Sequence, residues 1–104
     1  MTLASFRDLL LTVSSDVYHF EAHKDDEYIV WHEVGAISLI GDDQRAESGT
    51  RIAVDYYTKQ EYDNLHTILV ETLDACEDIA LTDGAVMYEP DTGLIHYAYT
   101  CEVI

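Results

Sequence analysis

Positive charge is what this chain has least of. Five bases (Arg7, Lys24, Arg45, Arg51 and Lys59) stand against 21 Asp and Glu, a formal net charge of −16 over 104 residues. Such a field repels nucleic-acid phosphates and anionic lipid, so neither specific nucleic-acid binding nor membrane binding is expected. It suits a basic protein partner, a surface that must not stick to DNA, or plain solubility. Long apolar runs are also missing. No stretch approaches the ~20 residues of a membrane span, and Met1–Asp8 lacks the basic start and apolar run of a secretory leader. Cysteine is limited to Cys76 and Cys101. Without a secretory context these read as reduced, buried small residues rather than a disulfide. Proline occurs once, at Pro90, and no linker, repeat or low-complexity tract breaks the chain. Its length and globular composition suit a single domain over residues 1–104.

Catalytic signatures are absent as well. There is no Gly-rich phosphate loop and no G-x-S-x-G. Neither cysteine has a His or base near it in sequence to activate a thiol. His19-Phe20-Glu21-Ala22-His23 spaces two His four apart, but the zinc-protease pattern puts Glu directly after the first His. Strand and loop character would also separate the two rings, so the segment reads as an exposed polar loop. Asp91-Thr92-Gly93 spells the aspartic-protease triplet, but that chemistry needs two carboxylates sharing a proton. After Pro90 the three residues read as a turn. Asp25-Asp26-Glu27 and Asp42-Asp43 lack the spacing of a calcium loop. No enzyme, cofactor or metal is expected.

What is present is a pattern of strands and two helices. The C-terminal run is the clearest. Ala85–Glu89 and Leu94–Val103 flank Pro90-Asp91-Thr92-Gly93, which predicts an antiparallel hairpin. In its second arm Ile95, Tyr97, Tyr99, Cys101 and Val103 share the more apolar face. His96, Thr100 and Glu102 point the other way, toward water or a neighbour. Near the N-terminus Leu3, Phe6, Leu10, Val13 and Val17 step by three and four, which predicts a helix from about Thr2 to Ser14. Val17–Phe20 reads as a short strand. Tyr28–Val34 reads as a strand that Gly35 ends, with Trp31 and Ile29 on one face. Gly35–Gly49 is the least regular stretch; it is either a functional or disordered loop or a fold-back of Ala36–Ile40 onto its own sheet.

Thr50–Thr58 predicts a third strand, with Ile52, Val54 and Tyr56 on one face. Thr58-Lys59-Gln60-Glu61 has the form of a capping box, so a second helix is expected from there to about Cys76. Its buried stripe is Tyr62, Leu65, Leu69, Leu73 and Cys76; His66 falls on its exposed flank. Asp74, Glu77 and Asp78 crowd its negative end, so that end either frays or needs a basic neighbour. Ile79–Leu81 reads as a short strand and Asp83-Gly84 as a turn. The order of elements predicts an α+β fold, a mainly antiparallel sheet with two helices packed on one face.

Three stretches carry a resemblance. They are Tyr28-Ile-Val-Trp-His-Glu33 with the long stretch after it, Asp55-Tyr-Tyr-Thr-Lys-Gln-Glu-Tyr-Asp63, and Tyr88-Glu-Pro-Asp-Thr-Gly-Leu-Ile-His-Tyr97. In that order and spacing the chain resembles small tail-completion or head–tail joining proteins, tail terminators among them, of long-tailed bacteriophages and prophages. The resemblance implies a virion structural protein without catalytic residues. It implies a ring, typically a hexamer, at the tail top or neck around the DNA channel. Its partners would be its own copies, the tail tube and the head connector. Its location would be the host cytoplasm before assembly and the virion after it. An acidic wall would then keep passing DNA from sticking. Ile37, Leu39 and Ile40, with Arg45 and Arg51 reaching a neighbour's acids, are the expected assembly interface. Two other classes stay open: an acidic DNA mimic that inhibits a nuclease or other nucleic-acid-binding protein, and an acidic partner-binding domain of another process.

Overall fold

Thr2 starts the first helix, α1 (Leu3–Leu11): its hydroxyl accepts the backbone N–H of Ser5 at 3.0 Å. Such a cap satisfies a donor that has no partner within the helix. The helix ends three residues sooner than expected, where the Thr12 hydroxyl bonds the Leu9 carbonyl and loose turns carry the chain to Ser14. Phe6 and Leu10 are fully buried. The structure is a computed structural model that describes residues 1–41 and 44–104; of residues 38–41 and 44–48 it describes the backbone path alone.

Five strands form one sheet in the order β1-β2-β3-β5-β4. They are β1 (Val17–His19), β2 (Tyr28–Gly41), β3 (Gln44–Thr58), β4 (Ile79–Glu89) and β5 (Leu94–Val103). Only β1 pairs in parallel, with β2; the other pairings are antiparallel. With α1 and α2 (Leu65–Asp74) the fold is α+β.

Register explains which face is apolar. Ile29, Tyr56 and Tyr97 align across β2, β3 and β5, as do Trp31, Val54 and Tyr99. These rows gather with Phe6 and Leu10 of α1 and Leu69 and Leu73 of α2 into a single core. Tyr97 and Tyr99 are partly buried against it; each fully buried apolar side chain contributes roughly 1.5–3 kcal/mol. The opposite rows hold Tyr28, Tyr57 and His96. That face is not simply polar. Tyr28, Val30 and Leu94 form a second small core there, packed by Tyr18, Ala22 and Tyr57.

Other boundaries differ from the expectation as well: β3 starts at Gln44 and not at Thr50, and three pieces of local punctuation are overruled. Gly35 does not end β2. The pairing skips a residue between Glu33 and Gly35, and the strand runs on to Gly41. The glycine marks a bulge, and Val34 is the exposed extra residue. Asp83-Gly84 is likewise no turn. It follows a register shift between Leu81 and Asp83 inside one continuous strand.

The capping box at Thr58 does not form, and α2 begins at Leu65 instead of Thr58. Thr58 is the last residue of β3, fully buried and paired with Ile95. Its hydroxyl takes the Gln60 N–H at 3.1 Å, while Asp26 captures the Lys59 N–H at 2.7 Å. Tertiary bonds thus outbid the local cap. Tyr62 is left in the connection, 96% exposed rather than buried. Beyond the far end of α2 one of the three acids, Asp78, has the Met1 ammonium 3.7 Å away.

Candidate assembly interface

β5 reaches no further than Val103, opposite Thr50. Outward from there β2 and β3 pair with each other, through Ala36↔Thr50, Ile37↔Gly49, Ile40↔Arg45 and Gly41↔Gln44. The result is a two-stranded arm beyond the end of the sheet, about 20 Å long at ~3.3 Å per residue. The molecule is accordingly elongated, 51 × 24 × 22 Å. Of the two readings of Gly35–Gly49, the fold-back is what forms. A lone two-stranded ribbon is marginal in water, so an arm of this kind gains most by docking.

The expected interface residues fall on or beside this arm. Ile37 is half-buried at its root. Leu39, Ile40 and Arg45 lie on the arm by register, and their side chains, like Asp42 and Asp43, lie outside the described residues. Arg51 stands at the base. It is already engaged in the chain, with Nη2 3.3 Å from Glu102 Oε1 across the β3–β5 pair. Both partners are partly exposed, so the pair contributes at most about 1 kcal/mol and can be exchanged for another carboxylate.

A groove of about 190 Å³ opens at the arm's root. Ile37, Gly49, Ile79, Ala80 and Ile104 line it, and Glu77, Asp78 and Glu102 rim it. An apolar floor with an acidic rim suits an apolar side chain flanked by a base.

The titratable groups that approach one another elsewhere act as struts. Asp63 takes hydrogen bonds from the Tyr56 hydroxyl at 2.6 Å and from His66 Nδ1 at 2.9 Å. Burial pushes its carboxyl up, but the bonds from Tyr56, His66 and Thr58 outweigh that and hold it below the usual range. Burial and the Asp63 carboxylate together push the Tyr56 phenol far up. His66 is not on a free flank; its ring stacks on Tyr97 with centroids 4.4 Å apart.

On the other face His96 Nε2 meets Asp55 at 2.6 Å, and the ring stacks on Tyr57 at 4.2 Å. His96 is therefore held inside the sheet's own network rather than offered to solvent. Burial pushes the Tyr57 phenol up to about 12.

At the β1 edge His19 lies between Phe20 and Trp31, at 4.0 and 3.9 Å, and bonds Glu33. That bond holds the Glu33 carboxyl down. Phe20 sits at φ 73, closed by the Glu21 N–H to His19 carbonyl bond. This strained three-residue turn leaves its ring 61% exposed.

Sequence reasoning missed one surface entirely. Splitting β4 at Asp83-Gly84 hid a long edge strand on which Val86, Met87 and Tyr88 are exposed at 64%, 46% and 65%. Val86 and Tyr88 lie opposite Tyr97 and Ile95. The signal available was the unbroken β-type run Ala85–Tyr88, without a base or a proline. No protein-family model and no curated protein matches this chain.

Proposed function

We propose that this chain is a non-enzymatic virion structural protein of the tail-completion or head–tail joining kind. In this reading its copies close into a ring at the tail top or neck, around the DNA channel. The observation that supports the reading best is the β2–β3 arm, whose two strands run past the end of β5 and pair with each other. An arm of one protomer seated on a different surface of the next makes a heterologous contact, and such contacts close into rings when the rotation allows. The residues of the resemblance fit this division. Tyr28–Glu33 and Asp55–Thr58 anchor the arm in the sheet, and Tyr88–Tyr97 forms the opposite hairpin. The net charge of −16 suits a channel wall that DNA must pass without sticking.

The test is assembly on purified tail tubes. The double variant Ile37→Asp with Leu39→Asp, checked for folding by circular dichroism, is expected to lose tube binding. Retained assembly rules out the arm as the interface. A persistent monomer that instead binds and inhibits a nuclease overturns the ring and favours DNA mimicry.

A further inference from the structure

β4 is an edge strand of the sheet, with β5 as its one neighbour in the strand order. The opposite edge, β1, is three residues long, whereas β4 is eleven. Proteins usually blunt such an edge with lysine, proline or a bulge. β4 has its one register shift at Leu81/Asp83, and from Gly84 to Tyr88 it has neither charge nor proline. Val86, Met87 and Tyr88 expose apolar surface on both of its faces. Tyr99 covers Gly84, with its ring 3.3 Å from where a Cβ would stand, so even the glycine is backed by an aromatic.

Charge identifies the occupant. Asp83 and Glu89 bound the neutral stretch, Asp91 follows, and Gln60–Ile104 contains no Lys or Arg at all. A second copy fits poorly. Antiparallel self-pairing centred on Val86 sets Asp83 against Glu89 at both ends, and parallel pairing sets each acid beside its own copy. Like charges directly across strands are destabilising.

We propose that β4 accepts, by strand addition, an extended segment of another protein with an apolar, β-branched centre and a Lys or Arg at each end. Backbone hydrogen bonds along Ala85–Tyr88 hold the segment; the Gly84 N–H already donates to Asp83 Oδ1 at 2.9 Å. The segment's apolar side chains extend the row of Val86 and Tyr88, and its cations add to the existing partners of Asp83 (the Gly84 N–H) and Glu89 (Thr92 and His96). This surface lies apart from the arm and does not rest on the ring reading.

The probe is a blocked nonapeptide, Lys-Lys-Val-Thr-Val-Thr-Val-Lys-Lys, titrated into the intact chain by fluorescence anisotropy, with backbone amide NMR locating the site. One control carries Gly and Pro in the centre at the same charge; the other carries Glu for every Lys. The first peptide is expected to bind at least about tenfold tighter than either control. Amide shifts should centre on Asp83–Glu89. Val86→Lys with Tyr88→Lys should lose the binding while the circular dichroism is unchanged; Met87→Lys alone is the milder variant should the double one fail to fold. Equal affinity for the Gly/Pro control overturns strand addition in favour of a diffuse field effect. Shifts centred off β4, absence of binding, or a β4-mediated dimer without peptide also overturn it.

Discussion

Gly49 crosses the end of β5 so closely that a Cβ there would stand 2.5 Å from the Val103 carbonyl oxygen. That contact is backbone against side chain, so no rotamer change relieves it. It lies where the arm leaves the sheet. Gly49→Ala is therefore expected to destabilise the fold by about 1–3 kcal/mol, measured by urea denaturation. Gly35→Ala, whose Cβ meets nothing within 4 Å, is the matched control and should cost much less.

The second helix supplies a sharper contrast. Leu69 and Leu73 are fully buried, whereas Tyr62 is almost wholly exposed. Leu69→Ala or Leu73→Ala should cost about 2–5 kcal/mol. Tyr62→Ala should stay within about 0.5 kcal/mol of the parent, in the same denaturation experiment.

Asp63 gives the acid limb of stability a definite sign. Its folded carboxyl is held below the unfolded value by Tyr56, His66 and Thr58, against the effect of burial. A depressed carboxylate stabilises above its unfolded pKa, about 3.9, and that stability is lost as pH falls through the folded pKa. Glu33, held down by His19, acts in the same direction. Asp63→Asn should be less stable at pH 7 by on the order of 1–3 kcal/mol. Its stability should also fall less steeply below pH ~4 than the parent's. Denaturant titrations from pH 2 to pH 7 check both.

The two cysteines should differ in reactivity. Both are free; Cys101 is buried and Cys76 half-buried. Burial pushes the Cys101 thiol up to about 12, so almost no thiolate exists at pH 8. A thiol reagent at pH 8 should modify Cys76 first and reach Cys101 only when denaturant is added. Mass spectrometry of the labelled peptides reads this directly.

The parts of the fold that were legible in sequence rest on period. Ile52, Val54 and Tyr56 alternate and are buried. Phe6 and Leu10 recur at helical spacing and are buried too. The terminal hairpin was readable because Pro90 and Gly93 punctuate it, and Gly93 does take φ 72. What failed was punctuation overruled by tertiary structure. Gly35 and Asp83-Gly84 carry turn chemistry, but each accompanies a register shift within a strand that continues. Thr58 has the residues of a cap, yet β5 and Asp26 hold the backbone there. The arm was half legible. Its strands were one of two readings of Gly35–Gly49, because β-type residues such as Ile37 and Leu39 alternate with small ones there. Its projection past β5 depends on where β5 ends, which no local pattern states.

The proposed ring on the tail is tested by the mass of the chain bound there. Light scattering on the chain alone and on tube-bound, cross-linked material gives the copy number. A closed ring of several copies on the tube, a hexamer by the resemblance, is expected whatever the state of the free chain. A single copy, or no binding to tubes at all, contradicts it.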